Sequence, residues 1–169
     1  MIIAAGVNWN ECANGHQFEG IYPAESYGTL LLFSSIPGSV CVISVLEDSP
    51  MADVAALVPS VLSDRGVDIS SWNLSHLPSV TRHSVGVAID RDRDGSMFRV
   101  LDRSLPGFGP PCPFCRSKTI GRGGIRSGRG DMREIPNATF ACWRGMSEQE
   151  RYEQVAAFLD SEPGLWIDK

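Results

Sequence analysis

The chain has no overall excess of positive charge, no basic leader and no internal repeat, and each absence removes a class of protein. Its 169 residues carry 15 Lys and Arg against 20 Asp and Glu, a formal net charge of −5, so attraction to a polyanion has to be local rather than global. The opening Met1 to Trp9, MIIAAGVNW, lacks the basic n-region, the long apolar core and the small-residue cleavage site of a secretory signal. A reducing, cytoplasmic or otherwise intracellular setting is therefore expected. Long apolar runs are scarce too. The longest uncharged stretch, Ser26 to Leu46, is broken by Pro37-Gly38 and by serines, which predicts a buried β-hairpin over Tyr27–Ile36 and Ser39–Glu47 and no membrane span.

At 43% hydrophobic the chain can bury a core, and its length suits one domain over 1–169. Ser49 and Pro50 start a predicted helix whose Val54, Leu57, Val58, Val61 and Leu62 recur at helical spacing. Pro59 is placed to kink or end it, and Asp64-Arg65-Gly66 closes it. From Ser84 to Asp102 two β-like runs flank a charged tip ending in Asp94-Gly95, a hairpin signal. The tip, DRDRDG, matches half of a calcium loop, but Leu101 stands where the bidentate acid belongs, so a solvated turn is expected. Pro106 to Gly130 is too rich in proline and glycine for regular elements. A C-terminal helix over 147–160 follows, with Ser147 and Glu150 as a capping box, an apolar face of Tyr152, Val155, Phe158 and Leu159, and Pro163-Gly164 as its stop. Strands, helix, strands, knuckle, helix predict α+β, with antiparallel β-hairpins packed with two helices.

Histidine is sparse, at three residues, and the five cysteines are an odd number, which disfavours a disulfide framework. Cys112 and Cys115 have the spacing at which two thiolates from one turn reach a tetrahedral Zn²⁺. Cys12 and His16 lie four apart across Asn14-Gly15, a tight turn that can aim a thiolate and an imidazole at one point. CANGHQF, from Cys12, and CPFCRSK, from Cys112, resemble the knuckles of treble-clef and ribbon-type zinc modules, with their C-x-x-G-H-x-F and C-P-x-C-x-x-K patterns. The resemblance implies a closed structural zinc site with Cys12, His16, Cys112 and Cys115 as ligands, split into halves at 9–20 and 110–118. It covers about 20 residues, and 95 residues separate the halves where such modules have one or two dozen, which implies a globular insertion between them. Cys142, in FACWRGM, is the substitute ligand if His16 is unused and otherwise a buried small hydrophobe. Cys41, between Val40 and Val42, belongs to the core.

The Arg/Gly-rich loop 116–133 holds Arg116, Lys118, Arg122, Arg126, Arg129 and Arg133, opposed only by Asp131, and leaves 9 basic against 19 acidic residues elsewhere. Guanidinium groups on a glycine-rich backbone can follow phosphates. The sequence is thus expected to encode a zinc-stabilised module contacting nucleic acid or an acidic protein surface, and to fit a subunit of a larger assembly. Two enzyme readings compete. Cys12, His83 and Asp102 follow the chain order of papain-like thiol hydrolases. Pro111 and the Cys112/Cys115 pair resemble half of a zinc-dependent nucleobase deaminase, with His83 upstream, but Val85 stands where the proton-shuttling glutamate should be.

Overall fold

The computed structural model describes residues 3–23, 30–35, 39–44, 49–72, 76–100, 112, 114–115, 117, 119–122 and 133–166. They fall into two compact units, each built from two separate stretches of chain: Met1–Leu46 with Arg91–Ala138, and Glu47–Asp90 with Thr139–Lys169. Helices and antiparallel strands are both present, as an α+β composition requires.

The first unit is a β unit. Strand β1 (Ile3–Cys12) pairs antiparallel with β2 (Gln17–Pro23) along one edge. Its other edge takes β6 (Thr119–Arg122) near Cys12 and β7 (Arg133–Ile135) near Ile3, both antiparallel. A second sheet has β3 (Leu30–Ser34) in its centre, between β4 (Val40–Ser44) and the two-residue β5 (Arg99–Val100). The expected hairpin is therefore present, closed by the Ser35 N–H donating to Ser39 O at 3.0 Å. Pro37-Gly38 lies outside the described residues. Val40, Cys41, Val42 and Ile43 are all buried, the continuous pattern of a strand covered on both faces. Residues after β7 dock on β4: Val42 N–H donates to Pro136 O at 3.0 Å, and Ala138 N–H to Val42 O at 2.9 Å.

The second unit is helical. α1 (Ser49–Asp64) runs on through Pro59 and buries Val54, Val58, Val61 and Leu62. It stops where the sequence predicts: Gly66, at φ 74°, donates to Ser63 O at 2.8 Å, and Val67 N–H to Leu62 O at 3.0 Å, the paired bonds that satisfy the last helical carbonyls. α4 (Glu148–Ser161) starts on the predicted capping box, with Ser147 accepting from the Glu150 N–H and the Glu150 carboxylate accepting from the Ser147 N–H. It buries Val155, Phe158 and Leu159. Arg65 joins α1 to α4 with a two-pronged ion pair to Asp160 (2.8 and 2.7 Å) and a bond to Ala156 O at 3.2 Å.

Several sequence expectations fail for identifiable reasons. The hairpin at 84–102 has only one β flank. His76–Ser84 is a helix, α2, and Val85–Ala88 continues it as a 3₁₀ turn. Val85, Ala88 and Ile89 are buried, and a short apolar run reads alike for a strand and for a buried turn. Four α-helices, not two, are found among the described residues, the fourth being the five-residue α3 (Ala141–Gly145). The carboxylates of DRDRDG serve backbone N–H groups. Asp92 accepts from Asp94 and Ser96 at 2.9 and 2.8 Å, and Asp90 accepts from Ala141 and Cys142 at 3.0 and 2.9 Å, capping α3. Among its described residues the proline- and glycine-rich stretch contains a strand after all, β6, held by its pairing to β1. Among the described residues no helix is long and apolar enough to cross a membrane.

Candidate metal centre

The turn between β1 and β2 puts the first two polar ligand types side by side. Gly15 N–H donates to Cys12 O at 2.9 Å and Cys12 N–H to His16 O at 3.0 Å, with Gly15 at φ 77°. This is a three-residue hairpin loop whose last residue is left-handed, the position that favours glycine. Cys12 and His16 flank it as the closing pair. The second half is closed by Cys112 N–H donating to Ser117 O at 3.0 Å. Two residues on, Thr119 opens β6 directly opposite Cys12, at an irregularity between Glu11 and Cys12. Strand pairing thus carries the CPFC turn across 95 intervening residues to the N-terminal hairpin.

Cys12, His16, Cys112 and Cys115 consequently converge, with one ligand atom of each lying within 4.8 Å of all the others. Among the described residues this is the one group of three or more such side chains able to hold a metal ion. A tetrahedral Zn²⁺, about 2.3 Å from sulfur and about 2.05 Å from nitrogen, sets S···S edges of about 3.8 Å and S···N edges of about 3.6 Å. The edge from Cys12 Sγ to Cys115 Sγ is 3.6 Å, and those from His16 Nδ1 to the sulfurs of Cys12, Cys115 and Cys112 are 3.5, 3.2 and 3.7 Å. The donor set suits the ion, and four of the six edges lie close to those it would set, with all four ligand atoms within 4.8 Å of one another.

The surroundings are asymmetric. Cys12 and Cys112 are fully buried over Phe18, while His16 and Cys115 are half-buried. Phe114 packs on the cluster and meets the His16 ring edge-on, with centroids 6.1 Å apart. All five cysteines are free thiols, and the cluster divides its three unequally. Burial pushes Cys112 up to about 12, against N–H donation from Cys115 and Phe114. Burial also opposes ionisation of Cys115, but the Ser117 hydroxyl and N–H, the His16 ring and Asn14 outweigh it and bring the thiol down to about 5. At Cys12 the Ser117 hydroxyl and the N–H groups of Asn14 and His16 likewise overcome burial and lower it. The Cys115 and Cys12 sulfurs raise His16. Burial thus keeps Cys112 a thiol beside two cysteines whose values are lowered.

Ser117, whose Oγ lies 3.0 Å from Cys115 Sγ, is not singled out by the sequence, and Asn14 only as part of the tight turn. Their only signal is a polar side chain inside each knuckle. The other predicted residues are placed as follows. Cys142 is exposed on α3 of the helical unit, its thiol raised by Asp90; it is neither a buried hydrophobe nor part of the cluster. Its neighbours Phe140 and Trp143 take the core positions, Trp143 with its Nε1–H donating to Asp53 at 3.1 Å. Cys41 is buried in β4, which pushes its thiol up to about 12. His83 leads no strand. It lies in the last turn of α2, with Nδ1 bonded to Ser79 O at 2.7 Å, and Cys12 closes a strand instead of opening a helix. Asp102, Arg116, Lys118, Arg126 and Arg129 lie outside the described residues. Arg122 ends β6 opposite Asn10, and Arg133 opens β7 opposite Ala5.

No family model, curated protein or solved structure matches the chain.

Proposed function

We propose that the four side chains hold one Zn²⁺ in a closed structural site of the treble-clef or ribbon kind, and that the β unit is a zinc-stabilised module for binding nucleic acid. The observation that carries the metal reading is the convergence of three sulfurs and one imidazole nitrogen within 4.8 Å of one another, with four of the six edges close to tetrahedral values. Three soft sulfurs and one imidazole favour zinc over hard cations. Four protein ligands leave no position for a water or substrate, which makes the ion a clamp between hairpin and CPFC turn rather than a catalyst.

The nucleic-acid reading is supported by where the basic segment is anchored. Arg122 and Arg133 pair with Asn10 and Ala5 on one edge of β1. Four β1 residues separate these register positions, against ten in the segment that joins them, which includes Arg126 and Arg129. The basic segment therefore leaves and rejoins a single sheet edge, tethered at both ends, and phosphate contacts made from it would release condensed counterions.

Elemental mass spectrometry on untagged protein tests the first part. About one zinc per chain is expected, lost in Cys12→Ser and in Cys112→Ser. Fluorescence anisotropy with labelled single- and double-stranded oligonucleotides tests the second, with binding that weakens as salt rises and again in an Arg126→Ala/Arg129→Ala variant. Oligonucleotide binding indifferent to both changes, or none, would leave an acidic protein surface as the partner for these charges.

A further inference from the structure

The cluster is open to attack from one side. Cys12 and Cys112 are fully buried, whereas Cys115 is partly exposed and has Cys12 Sγ 3.6 Å away. We infer that the site is an oxidant-sensitive clamp, in which a peroxide oxidises Cys115, Cys12 resolves it as a disulfide, and the metal is released. The inference rests on the zinc reading above and adds a regulation to that site.

The step balances as follows. The Cys115 sulfur attacks one peroxide oxygen and breaks the O–O bond, giving a sulfenic acid and hydroxide. The Cys12 thiolate attacks the sulfenic sulfur, the S–S bond forms and a second hydroxide leaves. Two thiolates have lost two electrons, the peroxide has gained them, and two protons from solvent convert the hydroxides to water. Closing the bond brings the two sulfurs from 3.6 Å to about 2.05 Å, a displacement within reach of two turns. The metal keeps only His16 and Cys112, and the tie between the hairpin and the CPFC turn passes from an ion to a covalent bond between Cys12 and Cys115. Ser117, whose hydroxyl sits 3.0 Å from Cys115 Sγ, occupies the sulfur's lone-pair density and is a positioning residue that slows the first attack.

The full-length chain carrying Cys142→Ser, which removes the exposed thiol outside the cluster, is assayed for metal content and then treated with hydrogen peroxide. Metal release is followed with a chromogenic chelator, and disulfides are mapped by mass spectrometry without reduction. The expected result is release of the bound zinc together with a Cys12–Cys115 linked peptide, both reversed by dithiothreitol and added zinc. Ser117→Ala, which keeps all four ligands, is expected to release zinc several-fold faster. Retained zinc, a Cys112–Cys115 link, sulfinic acid at Cys115 without a disulfide, or a Ser117→Ala rate equal to that of the parent overturns the switch. A chain that holds no zinc before peroxide is added overturns the metal reading itself, and the initial metal content separates the two failures.

Discussion

Cys12 and Thr119 stand opposite each other across β1 and β6, and this one register brings the two halves of the cluster together. Among the described residues the CPFC turn is held by its own bond from Cys112 to Ser117 and by packing of Cys112 and Phe114 with Cys12 and Phe18. Removing the metal with a chelator should therefore destabilise the β unit far more than the helical one. A ligand present at a thousand times its dissociation constant contributes about 4 kcal/mol, and a loss of that order is expected on chelation. Hydrogen exchange on the two units, with and without chelator, checks it: equal loss of protection in both would contradict a clamp confined to the β unit.

Metal binding should expel protons. At neutral pH the Cys112 thiol, pushed up to about 12, is protonated, and His16, raised by the sulfurs around it, carries a share of imidazolium. Coordination needs the thiolate and the neutral ring, so binding releases on the order of one to two protons and weakens as pH falls. Calorimetry in two buffers of different ionisation enthalpy counts them. Proton uptake, or none, would contradict the donor set.

In the metal-free protein the same thiols give opposing pH trends. Cys115 has a folded value of about 5, below its ordinary one of 9.0, so its contribution is full above the ordinary value and is lost as pH falls toward 5. Cys112, at about 12, contributes fully below the ordinary value of 9.0 and loses that contribution as pH rises through 9 to 12. Urea midpoints of the chelated protein should accordingly peak between these limits, and replacing Cys115 by Ser should reduce the decline on the acidic side, leaving the share that Cys12 and the lowered carboxylates contribute.

Gly15→Ala tests the hairpin turn alone. A Cβ at this position meets no atom within 4 Å, so the cost is backbone strain at φ 77°, about 1 kcal/mol. Zinc stoichiometry should survive while affinity falls several-fold.

Asp90→Asn tests the cap of α3. Phe140 at the start of that helix offers no side-chain cap, and Asp90 accepts from the N–H groups of Ala141 and Cys142 instead. Burial opposes the charge on Asp90, yet these bonds and the Thr139 hydroxyl hold its carboxyl below the usual range. Loss of the charged cap should cost about 1 kcal/mol at pH 7. The sign follows from the depressed value: the contribution is present above the ordinary carboxylate range and disappears as pH falls through the folded value. The difference between variant and wild type should shrink as pH falls below the ordinary carboxylate value of 3.8.

Legibility in the sequence followed locality. α1 and α4 carry their start and stop signals within a few residues, Gly66 and the Ser147/Glu150 pair among them, and β3–β4 declare themselves by a continuous apolar run. α2 hides because Pro78 and the polar HLPSVTRHS composition suggest a break, although a proline in the first helical turn forgoes no intrahelical bond. α3 is invisible because its cap comes from Asp90, some fifty residues earlier. Each half of the metal cluster was readable from its own turn. What unites the halves is the β1–β6 register, and no local pattern encodes a pairing across about a hundred residues. Ser117 escaped notice for the same reason, since its role depends on the sulfur it faces.

The order in which β1 acquires its neighbours also bears on synthesis. β1 and β2 can pair as soon as they leave the ribosome, but the other edge of β1 is completed by β6 and β7, roughly a hundred residues later, a delay of about 5 to 20 s at typical rates of translation. Throughout that interval the nascent chain presents an unpaired strand edge with Cys12 and His16 already set at its end, a template for illegitimate pairing and an early landing site for a metal ion still short of two ligands.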